Sequence, residues 1–307
     1  MRIVFFGTPA FAETSLRALL RAGHHVAGVV TQPDRPHGRS RSVLVPPPVK
    51  LLAEAEGLAV LQPERPVGDV FLAALRRFDA DLGVVVAYGH ILRQQVLDTP
   101  RLGMLNVHAS LLPRLRGAAP IQWAIARGDT RTGVTVMRME AGLDSGPILN
   151  QIATPIGENE TGGELTARLA ALGADALVET LARLPRNALD GEPQDASLAT
   201  YAPKVTRESA HVDWKADAAV VARLIRAFDP VPGAWTRAGD VEVKLFGARP
   251  TAGEGPPGTV LDAGERLRVA AGSGAVEITE VQPAGRRRIS ADAWRRGRGV
   301  ATGDRFE

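Results

Sequence analysis

Hydrophobic positions change their period along the chain, and the changes mark out its elements. Residues 2–6 (RIVFF), 25–31 and 81–87 (DLGVVVA) are short, nearly continuous apolar runs. That pattern belongs to strands buried on both faces of a parallel sheet. Between them, stretches 9–22, 49–56 and 67–78 predict helices, with a further short strand at 59–61. Pro9 follows the Gly7-Thr8 turn and suits the first turn of a helix. The alternation of strand and helix predicts an α/β domain with a mostly parallel sheet. Strands are expected again at Met104–His108, 133–139 and 147–156, the last two antiparallel around a turn at 140–146. A short helix is expected at 121–127. Leu165, Leu169, Leu172, Ala176, Leu181 and Leu184 recur at helical spacing and predict a long helix.

Beyond residue 184 the pattern breaks. Stretch 185–206 holds proline, glycine and aspartate with few large apolar residues, and it predicts a linker. A helix at 216–228 follows. Five short strands come next, at 233–237, 241–246, 258–262, 267–270 and 275–281, separated by turn residues. They predict a small OB-type β-barrel, with a last helical turn at 291–296. The expected division is 1–184, linker 185–206 and 207–307.

Composition narrows the class. With 307 residues, 45% hydrophobic and 23% charged, the chain can bury the cores of two ordinary globular domains. No run approaches the ~18 apolar residues of a membrane helix, and the apolar N-terminal run is too short for a signal peptide. A cytoplasmic protein is expected. The absence of cysteine excludes thiol catalysis, disulfides and Cys-based zinc sites. The turn GTPAFA lacks the second and third glycines of a dinucleotide fingerprint, which argues against a nicotinamide site.

The net charge of +3 is small but unevenly placed. Arg35, Arg39 and Arg41 crowd one loop, and Arg286, Arg287, Arg288, Arg295, Arg296 and Arg298 crowd the C-terminal end. Such clusters suit a polyanion, while a solvated surface is the alternative for either one alone. The first lies in QPDRPHGRSRSVLVPPP (32–48), with five prolines, one glycine and three arginines. Its prolines bar it from a helix or a central strand and hold its basic side chains outward.

Candidate chemistry sits between residues 103 and 149. Asn106 and His108 are two apart on a strand, so they share a face. Asp144 lies in the turn after strand 133–139. Were the two strands neighbours, an amide donor, a base and a carboxylate would meet, the minimum for acyl transfer. Ser110-Leu111-Leu112-Pro113 forms a turn with exposed backbone groups that could take a flat heterocycle. Tyr88, Gly89, Ile91 and Leu92 follow the carboxyl end of strand 81–87, where open α/β sheets bind ligands. His24, His25, His37, His90 and His211 show no metal-ligand spacing, and no metal is expected.

NVHASLLPRLRGAAPIQWAI, followed about thirty residues on by GLDSGPIL, resembles the folate-dependent formyltransferases, whose donor is 10-formyltetrahydrofolate. Branches acting on glycinamide ribotide or an amino-sugar nucleotide share Asn-x-His…Asp, as does the hydrolase-type domain of formyltetrahydrofolate dehydrogenase. MRIVFFGTPAFA, the loop TQPDRPHGRSRSVLVPPPVK and HVDWKADAAVVARLIRAFDPVPGAWT are similar to the branch acting on initiator methionyl-tRNA. The resemblance implies a Rossmann-like formyltransferase domain, an OB-like tRNA-binding domain, and a monomer serving translation initiation. It implies that Asn106 stabilises an oxyanion, that His108 moves protons and that Asp144 orients His108. Ser110–Pro113 with Tyr88, Gly89, Ile91 and Leu92 would meet the folate; Arg35, Arg39, Arg41 and Arg286–Arg288 would meet tRNA. One departure is that lysines often follow the family loop's Gly-Arg pair, where this chain has Ser40, Arg41 and Ser42. Arg39 is then expected to carry the contact. The alternative acceptor is a small-molecule amine.

Overall fold

The computed structural model describes residues 1–37, 43–184, 191–264 and 266–307. Its contacts divide into two compact units, each drawn from separate stretches of chain. The first comprises Met1–Gly117, Gly133–Thr154 and Thr166–Tyr201; the second comprises Ala118–Thr132, Pro155–Leu165 and Ala202–Glu307. No helix among the described residues is long and apolar enough to cross a membrane.

The chain runs β1 (Arg2–Gly7), α1 (Ala10–Arg21), β2 (His25–Val30), β3 (Arg35–His37), β4 (Val43–Val45), α2 (Pro48–Ala55), β5 (Val60–Leu61), α3 (Asp69–Arg76) and β6 (Leu82–Val86). It continues through α4 (Gln94–Leu97), β7 (Met104–His108), β8 (Arg116–Gly117), α5 (Pro120–Arg127), β9 (Arg131–Arg138), β10 (Ile148–Pro155) and α6 (Gly162–Arg183). Seven strands form one sheet in the order β10-β9-β7-β6-β1-β2-β5. Strands from β7 through β5 are parallel, and β9 joins β7 antiparallel. Arg138 N donates to Pro147 O, as the expected β9–β10 hairpin requires.

Alternation along β1 sends Val4 and Phe6 to one face, where they pack in a core with Phe71, Leu72 and Leu75 of α3 and with Tyr88 and Leu92. Within the proline- and arginine-rich stretch, the described strands β3 and β4 pair with each other in a separate two-stranded sheet. Its base is fixed by Asp34, which accepts from Lys50 Nζ at 2.7 Å and Gln62 Nε2 at 2.7 Å. The Gln62 hydrogen bond, then Lys50, holds the Asp34 carboxyl below its usual range. Sequence periodicity overlooks α4, which at four residues is too short to show any.

In the second unit α5 packs on α7 (Ala218–Ala227). Strands Ala234–Ala238, Val241–Thr251, Ala275–Pro283, Leu267–Ala270 and Val260–Ala263 lie side by side in that order, all antiparallel. The C-terminal residues join the two edges: Phe306 bridges Ala238, and Arg305 bridges Thr259. Backbone pairing thus continues from one edge of the sheet to the other through the C-terminal residues. Phe306 is buried there, its ring 5.8 Å from Trp214 and 6.2 Å from Trp294 of α8 (Ala291–Arg296).

Candidate active site

β7 places the site. Its odd position, Val107, faces α6, where a Cβ on Gly173 would come within 2.9 Å of Val107 Cγ1. Asn106 and His108 therefore point to the opposite face. Pairing with β9 sets Asn106 against Met137 and His108 against Thr135. The loop after β9 then returns Asp144 to the imidazole, with His108 Nδ1 3.7 Å from Asp144 Oδ2. That is too long for a hydrogen bond and near enough for a charge on the ring to be felt.

His108 is 6% exposed, and its other nitrogen is spoken for. Nε2 lies 2.9 Å from Leu115 O. A carbonyl only accepts, so Nε2 carries a hydrogen, and in the neutral ring the lone pair is on Nδ1. Leu115 O is thus a hydrogen-bond partner of the ring, with Asp144 on its other side. Asp144 Oδ2 in turn accepts from Gly117 N at 2.8 Å. The Asn106 carboxamide makes no hydrogen bond among the described residues and is half-buried, so it is free to donate to a ligand.

Two residues facing the imidazole have left-handed backbones: Leu115 at φ 58° and Asp144 at φ 47°. For non-glycine residues each costs about 1–3 kcal/mol and persists only where the surroundings enforce it. Gly146 shows how tightly the Asp144 loop is drawn in, since a Cβ there would lie 1.9 Å from Arg138 O.

The Ser110–Pro113 turn follows β7. Its backbone is largely engaged: Ser110 O accepts from Thr135 Oγ1 at 2.6 Å, Leu112 N donates to Thr135 Oγ1 at 3.2 Å, and Leu112 O accepts from Gln151 Nε2 at 2.9 Å. Ser110 and Leu112 are buried, while Leu111 and Pro113 are partly open. Apolar contact is available at Leu111 and Pro113, and the bonds to Thr135 and Gln151 hold the turn against the neighbouring strands.

Beyond β6 the four wall residues divide. Tyr88 and Leu92 are buried in the core, and Gly89 and Ile91 are exposed. Among the described residues the Tyr88 hydroxyl and His90 Nε2 are buried without a hydrogen-bond partner, their rings 5.5 Å apart. Burial pushes the Tyr88 phenol up to about 12.

Among the arginines, Arg35 donates to Gln32 Oε1 at 2.6 Å, while Arg39 and Arg41 lie outside the described residues. Arg286 and Arg287 are exposed. Arg288 is unlike them. It is held by Asp229 at 2.8 Å and Glu280 at 2.6 Å, with its guanidinium 4.0 Å over the Phe246 ring. Its charge is already paired inside the fold, so it is poorly placed for a phosphate. Among the described residues no group of three His, Cys, Asp or Glu is arranged to hold a metal.

The sequence reading missed Leu115, Arg116, Gly117, Gln194 and Thr200, all next to the site. Three use backbone atoms, and Gln194 and Thr200 fall in the stretch read as a linker. No spacing rule marks any of them.

Comparison with known proteins follows the same division. The model of the family described as formyl transferase matches residues 1–181, and that of the formyl transferase C-terminal domain matches residues 204–299. A methionyl-tRNA formyltransferase from Aromatoleum aromaticum is 51% identical over 308 residues, covering 100% of this chain and 97% of its own. One from Roseobacter denitrificans is 50% identical over 307 residues, covering 100% and 99%. Among solved structures, a HypX variant from Aquifex aeolicus superimposes with a TM-score of 0.69 at 22% identity, over 95% of this chain and 48% of that one. That last likeness is one of fold.

Proposed function

This chain belongs to the formyltransferase family, and from that premise we propose that it moves the formyl group of 10-formyltetrahydrofolate to the α-amino group of methionine on initiator tRNA. Likeness along the whole chain to relatives named methionyl-tRNA formyltransferase supports the acceptor. The observation that carries the chemistry is the His108 Nδ1 lone pair, 3.7 Å from Asp144 and on the same strand face as the unpaired Asn106 amide.

The folate supplies the activated formyl carbon. His108 Nδ1 takes the proton released as the amine forms its new C–N bond, and returns one to the folate nitrogen as the old C–N bond breaks. Asp144 stabilises the imidazolium in between, at a range where a buried pair interacts strongly. Asn106 donates to the formyl oxygen as negative charge gathers there; one such donor is worth roughly 2.7–4 kcal/mol of barrier. Tyr88, His90 and Leu92 would hold the heterocycle, with Gly89 and Ile91 at its rim and Leu111 and Pro113 in apolar contact. Arg35, Arg39, Arg41, Arg286 and Arg287 would meet the tRNA backbone, while Arg288 braces the fold of the second unit through Asp229 and Glu280. The proposal includes the division into 1–184, linker 185–206 and 207–307, and a monomer working in the cytoplasm with the translation machinery.

Supplying formyltetrahydrofolate with charged initiator tRNA, glycinamide ribotide or an amino-sugar nucleotide tests the acceptor. Formyl-methionyl-tRNA is the expected product. Formylation of a small amine with tRNA left untouched would overturn the reading.

A further inference from the structure

Stretch 191–201 does more than connect. Glu192 exchanges both backbone hydrogen bonds with Ile148, each 2.8 Å, which fixes it against β10. Two residues on, Gln194 Nε2 donates to Asp144 O at 2.9 Å and to Gly146 O at 2.7 Å. Gln194 Oε1 accepts from Arg116 Nε at 3.2 Å and Nη2 at 2.7 Å. Two carbonyls on one side and a cation on the other leave a single orientation for the amide. Arg116 is 7% exposed, and its described side-chain partner is this neutral amide. A buried guanidinium polarises the amide and strengthens what its NH2 donates.

Further along, Thr200 Oγ1 accepts from Leu115 N at 2.9 Å, and Thr200 O accepts from Arg116 N at 2.8 Å. One strap thus grips both left-handed residues beside His108: Asp144 by its carbonyl and Leu115 by its amide. Each conformation needs an external hold, and each determines what one imidazole nitrogen faces.

We propose that Gln194, backed by Arg116, is a positioning residue for the His108–Asp144 pair. It pins the Asp144 loop in its left-handed turn and so sets the distance between Asp144 and His108 Nδ1. The inference rests on the catalytic reading of that pair given above, and it deepens that reading.

Gln194→Met keeps the side-chain length and removes every hydrogen bond. Gln194→Glu keeps acceptors for Arg116 and removes both donors to the loop. Both are expected to lower kcat roughly tenfold or more, the usual loss for an outer-shell partner of a site residue. KM for each substrate should change little, since neither is touched. Both variants should also change the imidazole 15N shifts of His108 in the substrate-free protein. Recovery of wild-type kcat in Gln194→Glu would overturn the proposal, because Arg116 pairing alone would then suffice. Unmoved 15N shifts with a lowered Tm would make Gln194 merely structural and overturn it equally. Asp144→Asn is run alongside. A normal rate there would sink the catalytic reading itself, whereas a loss there with Gln194→Met unaffected would sink only the strap.

Discussion

At the scale of single residues, the site is a matter of which polar atoms are left over. Leu115 occupies His108 Nε2, Gly117 occupies one Asp144 oxygen, and Asn106 has no partner among the described residues. Its place beside His108 was legible in sequence, because strand alternation puts residues 106 and 108 on one face. The freedom of its amide was not, since that depends on every neighbour failing to reach it. Asn106→Ala should lower the single-turnover rate by about 10²–10³ with folding intact, because no native hydrogen bond is removed. A near-normal rate would remove Asn106 from the mechanism. Arg288 teaches the converse. In sequence it is one of three adjacent arginines; in the fold it neutralises Asp229, whose side chain is 6% exposed. Arg288→Ala should cost roughly 3 kcal/mol in urea unfolding by stranding that carboxylate, and the same change at Arg287 should cost almost nothing.

Elements were read well where a pattern repeats and poorly where it does not. β1, β2, β6 and β7 announced themselves as apolar runs, and the five strands of the second unit fall within a few residues of their expected places. The described strands of 32–48 stay apart from the main sheet, as their prolines required, yet the small β3–β4 ladder was unforeseen, since a three-residue strand has no period to detect. The closing of the second sheet was equally hidden. It depends on residues 304–307, which pair with strands far away in sequence and carry no alternation of their own. Phe306→Ala should destabilise the protein by about 3–5 kcal/mol, because its ring packs on Trp214 and Trp294 at the seam. Thermal unfolding unchanged from wild type would mean the seam contributes little.

For the molecule as a whole, charge placement matters more than the total. Arg286 and Arg287 are exposed and belong to the second unit. If they meet phosphates, replacing both with alanine should reduce the slope of log affinity for tRNA against log salt by roughly one for each phosphate no longer neutralised. An unaltered slope would assign the electrostatic work to other arginines. The units themselves are not successive halves of the chain. Stretches 118–132 and 155–165 fold with the C-terminal part, because the apolar side of α5 is covered by α7 and the backbone of Gly163 bonds to Asp229 O. A boundary drawn from composition follows the order of the chain; a compact unit follows which faces cover one another.

By itself, the sequence determined the alternation of strands and helices, the two architectures, the Asn106/His108/Asp144 set and the likeness to formyl-transferring proteins. All of these depend on local period or on residue types at fixed spacing. Tertiary structure alone decided which nitrogen of His108 meets Leu115, which arginine is already neutralised, how the second sheet's edges join, and that a stretch resembling a linker grips the loops of Leu115 and Asp144. Each of these turns on a hydrogen bond or ion pair between residues that the chain itself does not place side by side. Such a bond forms only once the fold has brought its partners together, and it leaves no periodic trace in the chain.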